Sequence, residues 1–126
     1  MSYKILVVDD EPIIVKSVTR ALSENGYTVF GAQDGTEALA LAKKEKPDLI
    51  ILDIRMPGMS GFDVLEKLRA DEVTRPISVI MFTTKDEADD VVKCMVDGGA
   101  LDYIVKPFIY EELLDRLHVN IEKEIL

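Results

Sequence analysis

The chain has 126 residues, of which 24 are acidic and 15 are basic, so its formal net charge is −9. This length suffices for one compact domain, and no apolar run approaches the roughly 20 residues of a membrane-spanning helix. The negative charge argues against direct binding of nucleic-acid phosphates. No signal peptide precedes the first strand pattern and Cys94 is the only cysteine, so we expect a cytoplasmic protein that contacts no membrane.

Short apolar runs alternate with longer segments of helical periodicity. The first run, Lys4–Val8, predicts a buried strand, and Pro12 then stands at a favourable first-turn position of a helix. Asn25 and Gly26 are typical of the end of that helix. The next predicted elements are a strand at 27–30, a helix capped by Asp34 and stopped by Lys46-Pro47, a strand at 49–52 followed by Asp53, and a helix opened by a capping box of Ser60 and Asp63.

The second half of the chain continues this alternation. It predicts a strand at 77–82, a fourth helix at 86–96, a fifth strand at Asp102–Val105, and a fifth helix with the apolar stripe Leu114, Leu117, Ile121 and Ile125. Five strand–helix units in series, with continuous apolar strands, indicate an α/β fold with a parallel sheet covered on both faces. In such folds ligands bind beyond the carboxyl ends of the strands.

Polar side chains follow four of the five predicted strands. They are Asp9-Asp10-Glu11 after the first strand, Asp53 after the third, Thr83-Thr84 after the fourth and Lys106-Pro107 after the fifth. Each alone is compatible with a solvated turn, a strand former or a surface charge. Asp53 is harder to explain in that way, because a carboxylate directly after a buried strand is costly to desolvate without a partner. We expect all four groups to meet at one edge of the sheet.

This set of residue types suits phosphoryl transfer to a carboxylate. Converging carboxylates attract a hard cation, and Mg²⁺ prefers oxygen ligands while keeping positions for water or phosphate oxygens. Phosphoryl transfer needs mainly positioning and charge neutralisation, and an aspartyl phosphate is an established covalent intermediate. The Lys106 ammonium and the Thr83 hydroxyl would bind the phosphoryl oxygens.

The chain resembles the receiver domain of bacterial response regulators in four motifs: ILVVDDE at 5–11, DIRMPGMSG at 53–61, Thr83, and DYIVKPF at 102–108. The resemblance covers essentially the whole chain and implies a single receiver domain over residues 1–126. It implies a CheY-like, flavodoxin-like doubly wound sheet of five parallel strands in the order 2-1-3-4-5, with five helices. It also implies a cis peptide bond between Lys106 and Pro107.

The same resemblance implies how the domain works. Asp53 would be the phosphoacceptor, Lys106 would pair with the phosphoryl group, and Thr83 and Tyr103 would form the switch that responds to it. The donor would be a sensor histidine kinase or a histidine phosphotransfer protein. The switch would alter the face formed by the fourth helix, the fifth strand and the fifth helix, where an effector protein or a second copy would bind. The domain would be a signalling switch and not an enzyme in the usual sense, although it would promote its own phosphoryl transfer and dephosphorylation.

The resemblance also implies a Mg²⁺ site. Its ligands would be Asp9, Asp10, Asp53 and the backbone carbonyl of Arg55. Arg55 and Lys85 each lie two residues beyond a site residue, and we predict that these cationic side chains tune the lifetime of the phosphoryl group. The ordinary alternative is that both are solvated surface charges.

Two departures from the family pattern affect these expectations. Thr84 stands where the family often has a very small residue, so its bulk could narrow access to Asp53. The segment 97–100, Asp-Gly-Gly-Ala, is about one residue longer than usual, and paired glycines loosen a helix end. This affects the expected shape of the output face and not the phosphorylation site.

Three other functions fit the sequence less well. A flavodoxin-like carrier would need a loop after strand one that cradles phosphate, whereas Asp-Asp-Glu would repel it. A phosphatase with an Asp nucleophile would usually carry a second acid two residues on, and position 55 is Arg. A degenerate, unphosphorylated interaction module would lack some site residues, but all of them are present.

Overall fold

The computed structural model describes residues 3–84, 87, 89, 91, 92, 95 and 99–125. Its five strands are β1 (Lys4–Val8), β2 (Thr28–Ala32), β3 (Leu49–Asp53), β4 (Ser78–Thr83) and β5 (Asp102–Val105). They form one parallel sheet in the order β2-β1-β3-β4-β5. The predicted α/β class and the strand order 2-1-3-4-5 are therefore confirmed.

Helices connect the strands and cover both faces of the sheet. Those with bounds in the described part of the chain are α1 (Pro12–Glu24), α2 (Gly35–Glu45), α3 (Gly61–Ala70) and the C-terminal helix (Tyr110–Ile125). Five helices were expected. The predicted fourth helix, 86–96, lies largely outside the described residues, although 89, 91, 92 and 95 within it are helical.

The starts of α2 and α3 follow from local capping. The Asp34 side chain accepts a hydrogen bond from the Glu37 amide at 2.7 Å and so begins α2. Ser60 and Asp63 form the predicted capping box at the start of α3, because each side chain accepts from the other's backbone amide. Side-chain acceptors at these positions satisfy amides that have no partner within the helix.

Alternating strand residues build two apolar layers, one on each face of the sheet. On one face Leu6, Ile50 and Met81 pack against the buried residues of α2 and α3. On the other face the apolar core is completed by α1 and the C-terminal helix, with the buried residues Ile5, Val7, Ile51, Ile80, Phe82, Val18, Leu22, Leu113 and Leu117. Helices thus cover both faces of the sheet with apolar side chains. A polar site is therefore expected at the ends of the strands and not on a face of the sheet.

The buried face of the C-terminal helix differs from the predicted stripe. Leu117 is buried, but Leu113 and Asn120 are buried beside it, whereas the expected Leu114 and Ile121 are only half-buried. The Asn120 amide donates to an Asp102 carboxylate oxygen at 3.0 Å and to the Arg116 carbonyl at 2.8 Å. These bonds satisfy the buried amide group, and the buried face lies about one residue from the predicted stripe. The side chain of Ile125 lies outside the described residues.

Arg69 links α3 to the amino-terminal ends of β4 and β5 by hydrogen bonds. From α3 its guanidinium donates to the carbonyls of Arg75 and Ile77, both at 2.8 Å, just before β4. It also donates to the Gly99 carbonyl at 3.2 and 2.8 Å, just before β5. One half-buried side chain thus fixes the starts of two neighbouring strands. Within the residues that the structure describes, no helix combines the length and apolarity needed to cross a membrane.

Candidate functional site

The carboxyl ends of four strands bring the predicted site residues to one edge of the sheet. Asp53 is the last residue of β3 and lies opposite Phe82 of β4, while Thr83 ends β4 opposite Val105 of β5. Lys106 follows β5, and its amide donates to the Thr83 carbonyl at 2.7 Å. The strand register therefore sets Asp53, Thr83 and Lys106 side by side.

Backbone hydrogen bonds fix the loop that follows Asp53. The Gly61 amide donates to the Ile54 carbonyl at 2.8 Å, and the Ile54 amide donates to the Phe82 carbonyl at 3.3 Å. A Cβ on Gly61 would lie 2.3 Å from the Asp53 carbonyl oxygen and 2.8 Å from the Ile54 Cα. Only glycine permits this approach of the α3 start to the strand end, so Gly61 fixes the backbone that presents Asp53.

Three carboxylates converge at this edge. Asp9 is fully buried, Asp53 is 6% exposed and Asp10 is half-buried. One oxygen from each lies within 4.8 Å of the others. Carboxylates so close repel one another, and a hard cation relieves that repulsion. The donors are all oxygens and are few, which fits Mg²⁺, an ion that keeps part of its hydration or takes phosphate oxygens as ligands.

The Lys106 ammonium links two of these carboxylates. Its Nζ lies 2.7 Å from Asp9 Oδ2, 3.3 Å from Asp53 Oδ1 and 4.0 Å from Glu11 Oε1. The Lys106–Pro107 peptide bond is cis, as predicted. The ammonium is therefore positioned to neutralise charge on any group attached to Asp53.

Protonation at the site reflects this crowding. Burial, and then the negative charge of Asp9, raise the pKa of Asp53 to about 7, although Lys106 opposes the rise. For Lys106 burial lowers the pKa, but hydrogen bonds and charge from Asp9 and Asp53 outweigh it, so the pKa is raised and the ammonium stays charged. The site thus holds more negative charge than its buried cation offsets, which favours an added cation.

Thr83 and Thr84 line the same cleft as Asp10, Asp53 and Lys106. The volume of this cleft is about 270 Å³. Thr83 is buried, and its hydroxyl donates to the Thr84 carbonyl at 3.0 Å. Thr84 is half-buried and lines this cleft, and narrowed access to Asp53 stays a prediction. Tyr103 lies on β5, half-buried, and packs against the core layer formed with α2 and α3.

Arg55 contributes a second cation at the mouth of the cleft. Its side chain is 69% exposed, and its guanidinium Nε donates to the carboxylate of Glu87. Glu87 is only 14% exposed and also accepts from the Thr84 hydroxyl at 3.5 Å. Reasoning from the sequence did not single out Glu87, since a carboxylate early in a predicted helix normally reads as a favourable helix-dipole charge. Lys85 lies outside the described residues.

Comparison with known proteins agrees with this arrangement. The family profile described as the response regulator receiver domain matches residues 5–118. Probable transcriptional regulatory protein TcrX of Mycobacterium tuberculosis is 40% identical over 119 residues, which cover 94% of this chain and 50% of that protein. Response regulator MprA of Mycobacterium ulcerans is 42% identical over 123 residues, which cover 98% of this chain and 52% of that protein. The chain thus spans about half the length of these curated relatives.

Solved structures show the same fold. The chemotaxis response regulator CheY4 of Vibrio cholerae superposes with a TM-score of 0.86 at 36% identity, covering 94% of this chain and 98% of that one. The match to the family profile includes all the described residues that line the acidic cleft. The chain therefore belongs to the response regulator receiver domain family and serves phosphorylation-dependent signalling in a two-component system.

Proposed function

We propose that Asp53 accepts the phosphoryl group. The observation that carries this proposal is its position: a buried carboxylate at the end of β3, 3.3 Å from the Lys106 ammonium and within 4.8 Å of the Asp9 and Asp10 oxygens. A carboxylate oxygen of Asp53 attacks the phosphorus of a phosphohistidine whose other ring nitrogen is protonated, the P–N bond breaks, and neutral imidazole leaves with the electron pair. The donor is a sensor histidine kinase or a histidine phosphotransfer protein.

Lys106 and Thr83 stabilise the product. The Lys106 ammonium already contacts Asp53 and can move to a phosphoryl oxygen without leaving Asp9, from which it lies 2.7 Å away. The Thr83 hydroxyl donates to a local carbonyl, and a phosphoryl oxygen is a stronger acceptor for it. Both residues also act on dephosphorylation, in which water attacks the phosphorus and the Asp53 carboxylate leaves, so the domain limits its own phosphorylated lifetime.

Mg²⁺ would be held by Asp9, Asp10, Asp53 and the backbone carbonyl of Arg55. When bound, it supplies positive charge to the phosphoryl oxygens and offsets repulsion among the carboxylates. The mutual approach of the three carboxylates supports this assignment. Arg55 tunes the lifetime of the phosphoryl group from the mouth of the cleft, and we propose the same for Lys85 from its sequence position.

The proposed output uses Thr83 and Tyr103 as a two-state element. Movement of Thr83 toward the phosphoryl group makes room for the Tyr103 ring, and the phosphate biases the two states only by its differential interaction with them. The altered surface comprises the predicted fourth helix, β5 and the C-terminal helix, and it binds an effector protein or a second copy. One relative is named as a probable transcriptional regulatory protein. We propose that any DNA contact belongs to a part of the protein beyond this acidic receiver domain, which occupies residues 1–126.

Phosphorylation with a small phosphodonor tests the assignment of Asp53. Incubation with phosphoramidate and Mg²⁺ should add one phosphoryl mass to the parent chain, and EDTA or the substitution Asp53→Asn should abolish the gain. Asp115→Asn is the matched control, because it removes an exposed carboxylate from the C-terminal helix and should leave the gain intact. Full labelling of Asp53→Asn would place the phosphoryl group on another residue.

A further inference from the structure

The Arg55–Glu87 ion pair crosses the mouth of the phosphorylation cleft. Arg55 belongs to the loop after β3, only two residues beyond Asp53, and Glu87 lies at the start of the predicted fourth helix. Both side chains line the cleft that contains Asp53. The ion pair therefore joins the loop that follows the phosphoacceptor to the start of the predicted fourth helix, which belongs to the proposed output face.

The charges around the cleft are unbalanced. Among the residues that the structure describes, the carboxylates that line or contact it are Asp9, Asp10, Glu11, Asp53 and Glu87, and the cations are Lys106 and Arg55. Lys106 already serves Asp9 and Asp53. Within the described part of the chain, Arg55 is thus a cation that an incoming phosphoryl group could still recruit, but Glu87 holds its Nε.

A phosphoryl group is a strong competitor for this arginine. It brings nearly two negative charges and three acceptor oxygens, and a guanidinium matches such oxygens with paired donors. The mostly exposed Arg55 side chain is free of tight packing and can change partner, whereas Glu87 is 14% exposed and holds the more confined position.

We infer that Glu87 is a positioning residue that competes with the phosphoryl group for Arg55. This inference rests on the proposed phosphorylation of Asp53. In the unphosphorylated protein Glu87 keeps the Arg55 guanidinium directed away from the acceptor carboxylate, which slows phosphorylation. When the phosphoryl group arrives, Arg55 transfers to it, and Glu87 loses its cationic partner at the start of the predicted fourth helix. The exchange couples occupancy of Asp53 to that segment by a second route, independent of Thr83.

A double-mutant cycle measures this competition. The rate of phosphorylation by phosphoramidate with Mg²⁺ is followed by mass spectrometry in the parent, Glu87→Gln, Arg55→Ala and the double variant. Glu87→Gln should raise the rate about fivefold, or ~1 kcal/mol of barrier, because it frees Arg55. In the Arg55→Ala background the same substitution should change the rate by less than about twofold, because no guanidinium remains to be freed. Glu66→Gln, on the exposed face of α3, removes the same charge and should match the parent.

The outcomes separate the two proposals. An equal acceleration with and without Arg55 would mean that Glu87 acts only as one more negative charge, and the competition would be rejected. The same conclusion follows if the parent is phosphorylated normally and Glu87→Gln is no faster. If the parent chain takes up no phosphoryl group at all, the proposed phosphorylation of Asp53 fails as well.

Discussion

At the scale of single residues, Asp53 combines two demands that oppose each other. A phosphoacceptor must be ionised to attack phosphorus, yet burial and the neighbouring Asp9 raise its pKa to about 7. The Lys106 ammonium recovers part of that cost. Ionised Asp53 is therefore electrostatically unfavourable in the folded chain. A bound cation, or a phosphoryl group held by cations, would relieve this unfavourable interaction.

This unfavourable interaction predicts a pH dependence of stability without metal. The pKa of Asp53 is 3.8 in an ordinary environment and about 7 in the folded chain. Between these two pKa values the folded chain keeps the proton on Asp53, whereas the unfolded chain loses it. The protonated Asp53 therefore contributes its full stabilisation of the fold below the lower pKa, and this contribution is lost as the pH rises to about 7. In EDTA, Asp53→Asn should gain stability relative to the parent from pH 4 to pH 8, by at most ~4 kcal/mol.

Urea unfolding of both proteins across this pH range measures the difference. Adding Mg²⁺ at pH 8 should reduce it, because the ion binds the folded parent more tightly than the variant. A difference that stays constant from pH 4 to pH 8 would contradict the raised pKa.

At the scale of elements, the positions of strand ends were accessible from the sequence, but details that depend on contacts were not. The bounds of β1 and β5 are those predicted, and β2, β3 and β4 differ by one or two residues because pairing with their neighbours sets their ends. The convergence of carboxylates followed from parallel strands alone. Glu87 and the burial of Asn120 were missed, because each depends on a partner distant in sequence.

The junction between β3 and α3 gives an element-scale prediction. Gly61→Ala should destabilise the fold by about 1–3 kcal/mol, because the added Cβ meets backbone atoms of Asp53 and Ile54 that cannot move alone. Gly35→Ala is the matched comparison, since the atoms nearest to its Cβ belong to the side chains of Met59 and Val64 and not to the backbone. Denaturant midpoints of the two variants decide, and an equal or smaller loss for Gly61→Ala would mean that the β3–α3 junction relaxes easily.

At the scale of the whole molecule, the output depends on how far a change at Asp53 spreads. A complete shift from 1:99 to 99:1 needs about 5.5 kcal/mol of differential interaction. One hydrogen bond from Thr83 and one ion pair from Lys106 supply only part of that. We therefore expect a partial shift in the isolated domain, completed when a partner or a second copy binds the altered face.

Chemical shifts with and without beryllofluoride, a phosphoryl mimic, measure this spread. Amide signals of Thr83 and Tyr103 should move, together with those between Val91 and Val105. Asp53→Asn with the same additions is the control and should show none of these changes. Perturbations confined to the loops around Asp53 would exclude this route to the output face.

The hydrogen bonds of Arg69 restrict how the segment between Thr84 and Gly99 can move when Asp53 is phosphorylated. Gly99 is held to α3 and to the start of β4 by a guanidinium, so the far end of the segment that leaves the site at Thr84 is anchored. A chain segment with one anchored end and one displaced end cannot translate as a body. It must pivot about the anchor or change its internal length, and displacements then diminish from the site toward Gly99. Among the described residues of this segment, Glu87 should travel farther than Met95, and Gly99 should mainly reorient.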